Sequence, residues 1–259
     1  MDVITVSSFK GGTAKTSTVL HVGAALAKWH KKKVLLVDFD AQANLTLGLG
    51  YDPDGQDSLA PVLQSKRSIH EVILPTCVKN LDLIPADPWL ERVEVTGSLA
   101  SDRYSHERLK HILAPLKYDL ILIDTPPSLS WLTESALIAA SSVMVAVTAE
   151  FYSVKGLERL SEFIKTVGER HPLNILGVIL SFWNPRGKNN ASFLKVIDQT
   201  FPSSCFTNKI RRDISVSEAA VHGKPLFEIP RLASQSRAAE DFQKLAEEIV
   251  LKMPESKRG

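Results

Sequence analysis

Cysteine and long hydrophobic runs are the scarcest features of this 259-residue chain. Its two cysteines, Cys77 and Cys205, lie far apart and match no metal-binding or redox spacing. We therefore expect reduced thiols, as in a cytoplasmic protein, and neither a disulfide framework nor a zinc site. No segment approaches the ~18 uninterrupted apolar residues of a membrane-spanning helix, and Met1–Val6 lacks the charged start of an export signal. These absences predict a protein that is neither exported nor membrane-spanning.

An excess of charge of either sign is also missing. The 31 basic and 29 acidic side chains give a formal net charge of +2, so any indication of a nucleic-acid partner must come from local clustering. The chain shows no internal repeat, low-complexity linker or second-domain boundary. Its length suits one large α/β domain with a substantial core, and we predict a single domain over residues 1–259.

Short, continuous apolar runs alternate with segments of helical period. The runs are predicted strands: Val3–Val6, Lys33–Val37, Leu81–Ile84, Asp119–Ile123, Val143–Val147 and Ile175–Leu180. The predicted helices are Thr16–Trp29, Tyr104–Leu113, Leu132–Ala139, Gly156–Val167 and Ala238–Lys252, while Gly48–Lys66 is expected to be irregular or a short helical excursion. Continuous hydrophobicity is typical of strands covered on both faces, and the alternation implies right-handed crossovers. The sequence predicts an α/β fold with a doubly wound, mostly parallel sheet and ligands at the carboxyl ends of its strands.

A glycine-rich loop follows the first predicted strand and opens the first helix. Its sequence is Phe9-Lys10-Gly11-Gly12-Thr13-Ala14-Lys15-Thr16-Ser17. Paired glycines let backbone N–H groups turn inward on an anion, and the helix N-terminus adds partial positive charge. We expect Lys15 to reach the phosphates of ATP and the Thr16 hydroxyl to ligate Mg²⁺. The strict P-loop pattern is not matched, because Phe9 and Ala14 occupy its two glycine positions.

Acidic residues follow two other predicted strands. Asp38 and Asp40 come after the second strand, and Asp124 ends the strand that begins at Asp119. Because the carboxyl ends of parallel strands meet at one edge, these carboxylates are expected to lie beside the glycine-rich loop. Such groups can anchor Mg²⁺ or orient an attacking water. The alternative is that Asp38 and Asp40 only cap a helix and close a turn.

The three motifs together resemble those of the ParA/MinD ATPases. Lys10–Thr16 is similar to the family's deviant Walker A sequence, with Ala14 at a position that is usually glycine. Asp38–Gln42 resembles Asp-x-Asp-Pro-Gln, with Ala41 in place of proline. The apolar strand ending at Asp124 resembles a Walker B segment, and Glu150–Gly156 resembles the entry to a dimer-facing helix. The resemblance covers nearly the whole chain and implies a P-loop NTPase fold.

This resemblance implies an ATPase that requires Mg²⁺ and closes into a homodimer around ATP. It implies that Lys10 reaches across the interface to the partner's nucleotide, and that hydrolysis is slow in isolation. It also implies that Asp40 positions water, while Asp38 and Asp124 join Thr16 around the metal. The loop residues Gly11, Gly12, Thr13, Ala14, Lys15 and Ser17 would bind the nucleotide. Ala14 would fit without strain only at negative φ, so altered nucleotide affinity is expected otherwise.

Basic residues are concentrated in the second half of the chain. Ser181–Arg231 contains eight basic and four acidic residues, so the rest of the chain carries a net negative charge. Such a cluster favours sequence-independent contact with DNA phosphates, although an ordinary solvated surface is the alternative. The expected DNA contacts are Arg186, Lys188, Lys209, Arg211 and Arg212.

Two stretches narrow the resemblance to the short, Soj-like ParA partition ATPases. These are Ile210–Ala219 and His222–Pro225. The resemblance implies non-specific DNA binding in the ATP state, a cytoplasmic, nucleoid-associated protein and a ParB-like centromere-binding partner that stimulates hydrolysis. Ser215 stands where a relative often has arginine, and we hypothesise that Arg211 and Arg212 compensate. No helix-turn-helix fits before Val3, so operator recognition is not expected.

Two alternatives stay open. A MinD-like membrane ATPase would need a basic amphipathic helix at its C-terminus. Arg237–Met253 has the apolar spacing, but its polar face is acidic, Pro254 ends it, and Ser256–Gly259 is too short to anchor. We therefore expect this helix to pack on the domain and expect no membrane partner. The other alternative is a nucleotide-gated scaffold that positions a protein cargo.

Overall fold

A seven-stranded sheet forms the centre of the protein. The computed structural model describes residues 1–54, 57–95, 104–149 and 154–253. Its strands are β1 (Asp2–Ser7), β2 (Val34–Asp38), β3 (Leu74–Pro75), β4 (Leu81–Ile84), β5 (Leu120–Asp124), β6 (Ser142–Thr148) and β7 (Asn174–Ser181). They lie in the order β3-β4-β2-β5-β1-β6-β7, and every neighbouring pair is parallel except β3 with β4. The predicted mostly parallel sheet is confirmed, and all six predicted strands are present within one residue at each end.

Helices connect the strands. They are α1 (Lys15–Trp29), α2 (Asn44–Gly48), α3 (Leu59–Leu63), α4 (Trp89–Val95), α5 (Arg108–Leu113), α6 (Trp131–Ala139), α7 (Val154–Gly168), α8 (Asn190–Thr200), α9 (Ile214–Val221), α10 (Pro230–Gln235) and α11 (Arg237–Lys252). The predicted helix Tyr104–Leu113 is divided, since a 3₁₀ turn at Ser105–Glu107 precedes α5. The expected helical excursion within Gly48–Lys66 is α3. The segment 150–153 and the tail from Pro254 lie outside the described residues.

Both faces of the sheet are covered, as the continuous apolar strands predict. In β2, Leu36 packs in one hydrophobic cluster with α1 and α11, whereas Leu35 and Val37 pack in another with α3, α5 and α6. This alternation follows from the period of two in a strand. A third cluster fills the space under α7 and α8. Full burial of each such side chain contributes roughly 1.5–3 kcal/mol, so the two helical layers hold the sheet between them.

The C-terminal helix α11 is part of this core. Phe242, Leu245 and Ile249 are buried against α1, and the Phe242 ring stacks on His21 with 4.8 Å between ring centroids. The apolar face of α11 is therefore covered by protein, as expected from its acidic polar face. Among the described residues, no helix is both long enough and apolar enough to cross a membrane.

The strand register brings the predicted motifs to one edge of the sheet. Asp124 of β5 lies opposite Val6 of β1 on one side and opposite Asp38 of β2 on the other. The loop that follows β1 and the two carboxylates therefore lie together at the carboxyl edge. The segment after β7 leaves from the same edge, because β7 is parallel to β6 and β6 to β1.

Candidate active site

The glycine-rich loop connects β1 to α1 at the carboxyl edge. Gly11 and Gly12 are exposed, and Gly12 has φ +73°, a conformation that favours glycine. The loop is closed on itself by hydroxyl groups: Ser8 Oγ donates to the Lys10 carbonyl at 2.8 Å and Thr13 Oγ1 donates to the same oxygen at 3.4 Å. These bonds fix the exposed glycine backbone just before the N-terminus of α1, a position at which an anion is favoured.

Lys15 lies at the base of this loop. Its side chain is buried, and Nζ donates to Ser8 Oγ at 2.9 Å. Burial lowers the pKa of the Lys15 ammonium, while the nearby charges of Asp124 and Asp40 oppose that shift. A desolvated ammonium interacts strongly with an anion that replaces its lost water. The geometry therefore fits the predicted contact with nucleotide phosphates.

Ala14 occupies a strained backbone position. It precedes α1 with φ +61° and ψ +30°, in the left-handed region, so the condition for an unstrained alanine is not met. A non-glycine residue in this region costs about 1–2 kcal/mol. Ala43, which precedes α2, has φ +52° and is strained in the same way. Both alanines lie in the segments that flank the site.

Two buried carboxylates lie beside the loop. Thr16 Oγ1 donates to Asp124 Oδ2 at 2.6 Å, while Asp124 Oδ1 has no hydrogen-bond partner within the part of the chain that is described. Burial raises the pKa of Asp124 to about 8, and the neighbouring charge of Asp38 adds to this. Burial also raises the pKa of Asp38 to about 7, against the hydrogen bonds from Thr46. Such a pair is costly to ionise unless a cation compensates it.

Mg²⁺ fits these oxygen donors. It takes hard oxygen ligands and usually binds one or two carboxylates together with water and substrate phosphates. Within residues 1–54, 57–95, 104–149 and 154–253, no three His, Cys, Asp or Glu side chains are arranged to hold a metal. Thr16 and Asp124 would therefore supply only part of the coordination shell, and phosphate oxygens would supply the rest.

Asp40 lies just beyond β2 and is half-buried. Its Oδ1 accepts from the Gln42 N–H at 3.0 Å and its carbonyl accepts from the Ala43 N–H at 2.8 Å. Asp40 thus closes a turn. Asp38 also serves α2, because its Oδ2 accepts from the N–H of Thr46 in the first turn of that helix at 2.8 Å, although the residue that precedes the helix, Ala43, has no side-chain cap. The carboxylate of Asp40 is near enough to Lys15 to influence its pKa.

An arginine-lined cleft follows β7, and we call it the arginine cleft. Its volume is about 600 Å³, and its lining residues are Phe182, Trp183, Asn184, Pro185, Arg186, Arg211, Arg212 and Arg237. Three of the predicted DNA contacts therefore meet there. Lys209 Nζ lies 5.6 Å from the centroid of the Trp183 ring, at a cation–π distance. Lys188 is exposed and does not line the cleft.

Arg211 is already engaged by an acidic partner. Its Nη2 donates to Asp241 Oδ1 at 2.6 Å and its Nε donates to Asp241 Oδ2 at 2.8 Å, while Glu240 lies 3.4 Å from Nη2. These hydrogen bonds raise the pKa of Arg211. The pair joins the segment after β7 to α11, so much of the Arg211 charge is neutralised within the protein. Ser215 is buried in the first turn of α9, next to the cap residue Asp213.

Two hydroxyl side chains of the site carry no signal in the sequence. The Ser8 hydroxyl accepts a hydrogen bond from the Lys15 ammonium and donates one to the Lys10 carbonyl, which orients the loop. Thr46 donates to Asp38 Oδ2 at 2.7 Å from its hydroxyl and at 2.8 Å from its backbone N–H. Serine and threonine are common at loop and helix positions, and their partners become evident only when the strands are brought together.

Comparisons with known proteins agree with this geometry. An AAA domain model matches residues 1–175. A ParA family protein of Chlamydia trachomatis is 65% identical, over 96% of this chain and 98% of that protein. The sporulation initiation inhibitor protein Soj of Bacillus subtilis is 36% identical, over 96% of this chain and 98% of Soj.

Solved structures show the same fold with nucleotide. Cobyrinic acid a,c-diamide synthase of Mycobacterium smegmatis with ADP and magnesium matches 95% of this chain and 93% of its own, with TM-score 0.82 and 28% identity. The septum site-determining protein MinD of Pyrococcus horikoshii with Mg-ADP matches 96% of this chain and 95% of its own, with TM-score 0.75 and 28% identity. Because a ParA family protein matches this chain at 65% identity over nearly the whole length of both, and the phosphate loop and paired carboxylates agree with that match, this chain belongs to the ParA family of P-loop ATPases.

Proposed function

We propose that this protein is a Mg²⁺-dependent ATPase that dimerises around ATP and, in that state, binds DNA without sequence preference to drive its partition. The observation that carries the proposal is the placement of three features at one edge of the sheet. These are the phosphate loop, the buried carboxylates and the arginine cleft. Ligand binding and DNA contact at a shared edge allow the nucleotide to govern the DNA-binding surface.

The residues of the site have distinct roles in this proposal. The loop N–H groups and Lys15 bind the phosphates, and Thr16 and Asp124 hold the metal. Asp40, half-buried beyond β2, orients the attacking water. Catalysis then depends on positioning and on the compensation of negative charge, because the protein forms no covalent bond to the phosphoryl group.

Lys10 would complete the site of a second copy. It lies in the exposed part of the phosphate loop, next to Gly11 and Gly12. A lysine contributed from the partner adds positive charge where the transferring phosphoryl group develops negative charge. Dimerisation is thereby tied to ATP occupancy.

Arg186 and Arg212 are the proposed main DNA contacts, with smaller contributions from Lys188 and Lys209. Both arginines are exposed and line the arginine cleft, whereas Arg211 is largely neutralised by Asp241. The named relatives support a DNA cargo: one is a chromosome-partitioning ATPase of Treponema pallidum, 36% identical, and another is a virulence plasmid ParA family protein of Chlamydia trachomatis, 37% identical. A ParB-like partner that stimulates hydrolysis would then release the DNA.

Binding to non-specific duplex DNA tests the proposal. The affinity is measured across a salt series with ATP, with ADP and without nucleotide. We expect tight, salt-sensitive binding with ATP alone, because each neutralised phosphate adds about 0.9 to the slope of log affinity against log salt concentration. Arg212→Ala should weaken binding and lower that slope, whereas Arg170→Ala, exposed in the turn after α7, should change neither.

ATP affinity is measured for the same variants. An aromatic and arginine-lined cleft at the carboxyl edge is also a place where a nucleotide base can lie. If Arg212→Ala lowers the affinity for ATP more than the affinity for DNA, the arginine cleft binds the nucleotide and the DNA contacts lie elsewhere. Absence of DNA binding in every nucleotide state would contradict the DNA part of the proposal and leave the ATPase intact.

A further inference from the structure

Asp38 and Asp124 are neighbours in the sheet but differ in how their oxygens are used. Asp124 accepts from Thr16 through Oδ2, and its Oδ1 has no partner within the described part of the chain. Asp38, by contrast, accepts three hydrogen bonds from protein groups. Its Oδ2 takes the N–H and the hydroxyl of Thr46, and its Oδ1 takes the N–H of Asp40 at 3.3 Å. Asp124 thus has one oxygen without a partner among the described residues, whereas both oxygens of Asp38 are engaged by protein groups.

The Thr46 hydroxyl is itself fixed from the other side. Its Oγ1 accepts from the Ala86 N–H at 3.0 Å while it donates to Asp38 at 2.7 Å. A hydroxyl has one proton, so the bond to Asp38 uses the only one available. Thr46 and Ala86 are both fully buried, which excludes water as a substitute partner for either group.

These contacts form one continuous relay. It begins at Ala86, just after β4, passes through the Thr46 hydroxyl to the carboxylate of Asp38, and ends at the backbone N–H of Asp40. The relay therefore ties the segment that carries Asp40 to two strands of the sheet. Buried polar networks that are fully satisfied in this way restrict the positions their members can take.

We propose that Thr46 is a positioning residue for hydrolysis, and that Asp38 clamps the Asp40 segment while Asp124 serves the metal. The inference rests on the proposed ATPase function and deepens it. Asp40 orients the attacking water only if its backbone is held within a fraction of an ångström, since small displacements of a catalytic group cost much of the rate. Thr46 provides that constraint without contacting nucleotide.

Thr46→Val tests the relay, because valine keeps the shape of threonine and has a methyl group in place of the hydroxyl. We expect kcat for ATP hydrolysis to fall about tenfold or more, with the affinity for ATP and Mg²⁺ nearly unchanged. Thr46→Ser keeps the hydroxyl and should restore most of the rate. Thr200→Val, which removes a hydroxyl bonded only to a carbonyl one turn earlier in α8, is the matched control. An unchanged kcat in Thr46→Val would overturn the proposal.

Asp38→Asn separates the clamp from a metal ligand. The asparagine carbonyl still accepts from Thr46, but its amide group cannot accept from the Asp40 N–H. We expect Asp38→Asn to lose kcat while it keeps the Mg²⁺ dependence of binding to a fluorescent ATP analogue, and Asp124→Asn to lose that dependence. Weakened Mg²⁺ response in Asp38→Asn would assign Asp38 to the metal and contradict the clamp.

A measurement without nucleotide distinguishes this inference from the proposed function. Amide hydrogen exchange of the nucleotide-free protein should be faster at Ala86 and Asp40 in Thr46→Val and close to wild type in Thr46→Ser. If wild type neither hydrolyses ATP nor binds DNA, the proposed function fails while this readout still reports on the relay. Equal exchange in wild type and Thr46→Val would refute the relay whatever the activity. A loss of ATP affinity together with kcat, not rescued by serine, would show a purely structural role.

Discussion

At the scale of single residues, Asp124 and Asp38 are held where ionisation is unfavourable. Their pKa values rise to about 8 and about 7, chiefly because both carboxyl groups are buried. A carboxyl group with a raised folded-state pKa keeps its proton over a pH range in which the unfolded chain has lost it. Its contribution to stability is therefore complete below the usual value of 3.8 and is lost as the pH rises through 7 to 8.

Replacing Asp124 by Asn should remove this dependence. Without nucleotide or metal, Asp124→Asn is expected to be more stable than wild type at pH 8.5 by about 1–4 kcal/mol, with a smaller difference at pH 5, where only part of the contribution has been lost. Chemical denaturation in EDTA at both pH values measures this. The matched control is Asp54→Asn at an exposed position, which should be nearly neutral at both. A difference that does not depend on pH would show that Asp124 stays ionised in the fold.

The sequence predicts the residues of this site better than their partners. Lys15, Thr16 and Asp124 are found from local motifs, because the first two follow the glycine-rich loop at the start of α1 and Asp124 ends the apolar strand β5. Thr46 and Arg211 are different: the first depends on Asp38 and on a backbone group 40 residues away, and the second on Asp241, which is 30 residues away. Pairings of that kind follow from the packing of elements and leave no local pattern.

At the scale of elements, the backbone after α2 packs closely against the backbone after α9. Gly50 follows α2 with φ +81°, and Gly223 follows α9 with φ +60°. A Cβ added to Gly223 would lie 2.6 Å from the Gly50 Cα and 2.9 Å from its nitrogen. This contact joins the segment held by Thr46 to the helix that begins just after Arg212.

Gly223→Ala should therefore destabilise the protein. Positive φ costs alanine about 1 kcal/mol, and forcing the two backbones apart adds about 1–3 kcal/mol. The free energy of unfolding, measured by denaturant titration, should fall by roughly 2 kcal/mol or more. Gly168→Ala at the end of α7 is the control, since a Cβ there meets nothing within 4 Å. Equal stability of Gly223→Ala and wild type would mean that the two loops separate freely.

Element prediction succeeds where burial is continuous and fails where elements are short or bury few side chains, as in α8, which is not predicted and in which Phe193 and Ile197 are the buried residues. The six predicted strands are mostly apolar runs, whereas β3 has two residues, one of them proline. Helices α2 and α3 have five residues each, too few to show a helical period. Their positions are set instead by tertiary contacts, such as the bonds of Thr46 to Asp38.

At the scale of the whole molecule, ion pairs between described residues engage two of the eight basic residues of Ser181–Arg231. Arg211 pairs with Asp241 and Arg231 pairs with Glu218. Lys28 of α1 pairs with Glu228 at 2.8 Å and so neutralises one of the acidic residues of the same segment. The local excess of positive charge is therefore kept, but it is carried by fewer arginines. Arg186 and Arg212 line the arginine cleft beyond the carboxyl end of β7, so two copies joined at that edge would together offer more phosphate contacts than one.

Mixing two inactive variants tests whether the dimer shares its sites. Lys10→Ala lacks the lysine offered to the partner, and Asp40→Ala binds ATP but lacks the water-orienting carboxylate. In a mixed dimer, the Lys10→Ala subunit keeps its own Asp40 and receives Lys10 from its partner, so one complete site is formed. Random association of equal amounts of the two variants makes half of the dimers heterodimers, and each heterodimer has one complete site out of two. Hydrolysis should therefore recover to at most about a quarter of the wild-type rate. If Lys10 acted within its own subunit, every site in the mixture would lack one group, and the activity would not exceed that of the separate variants.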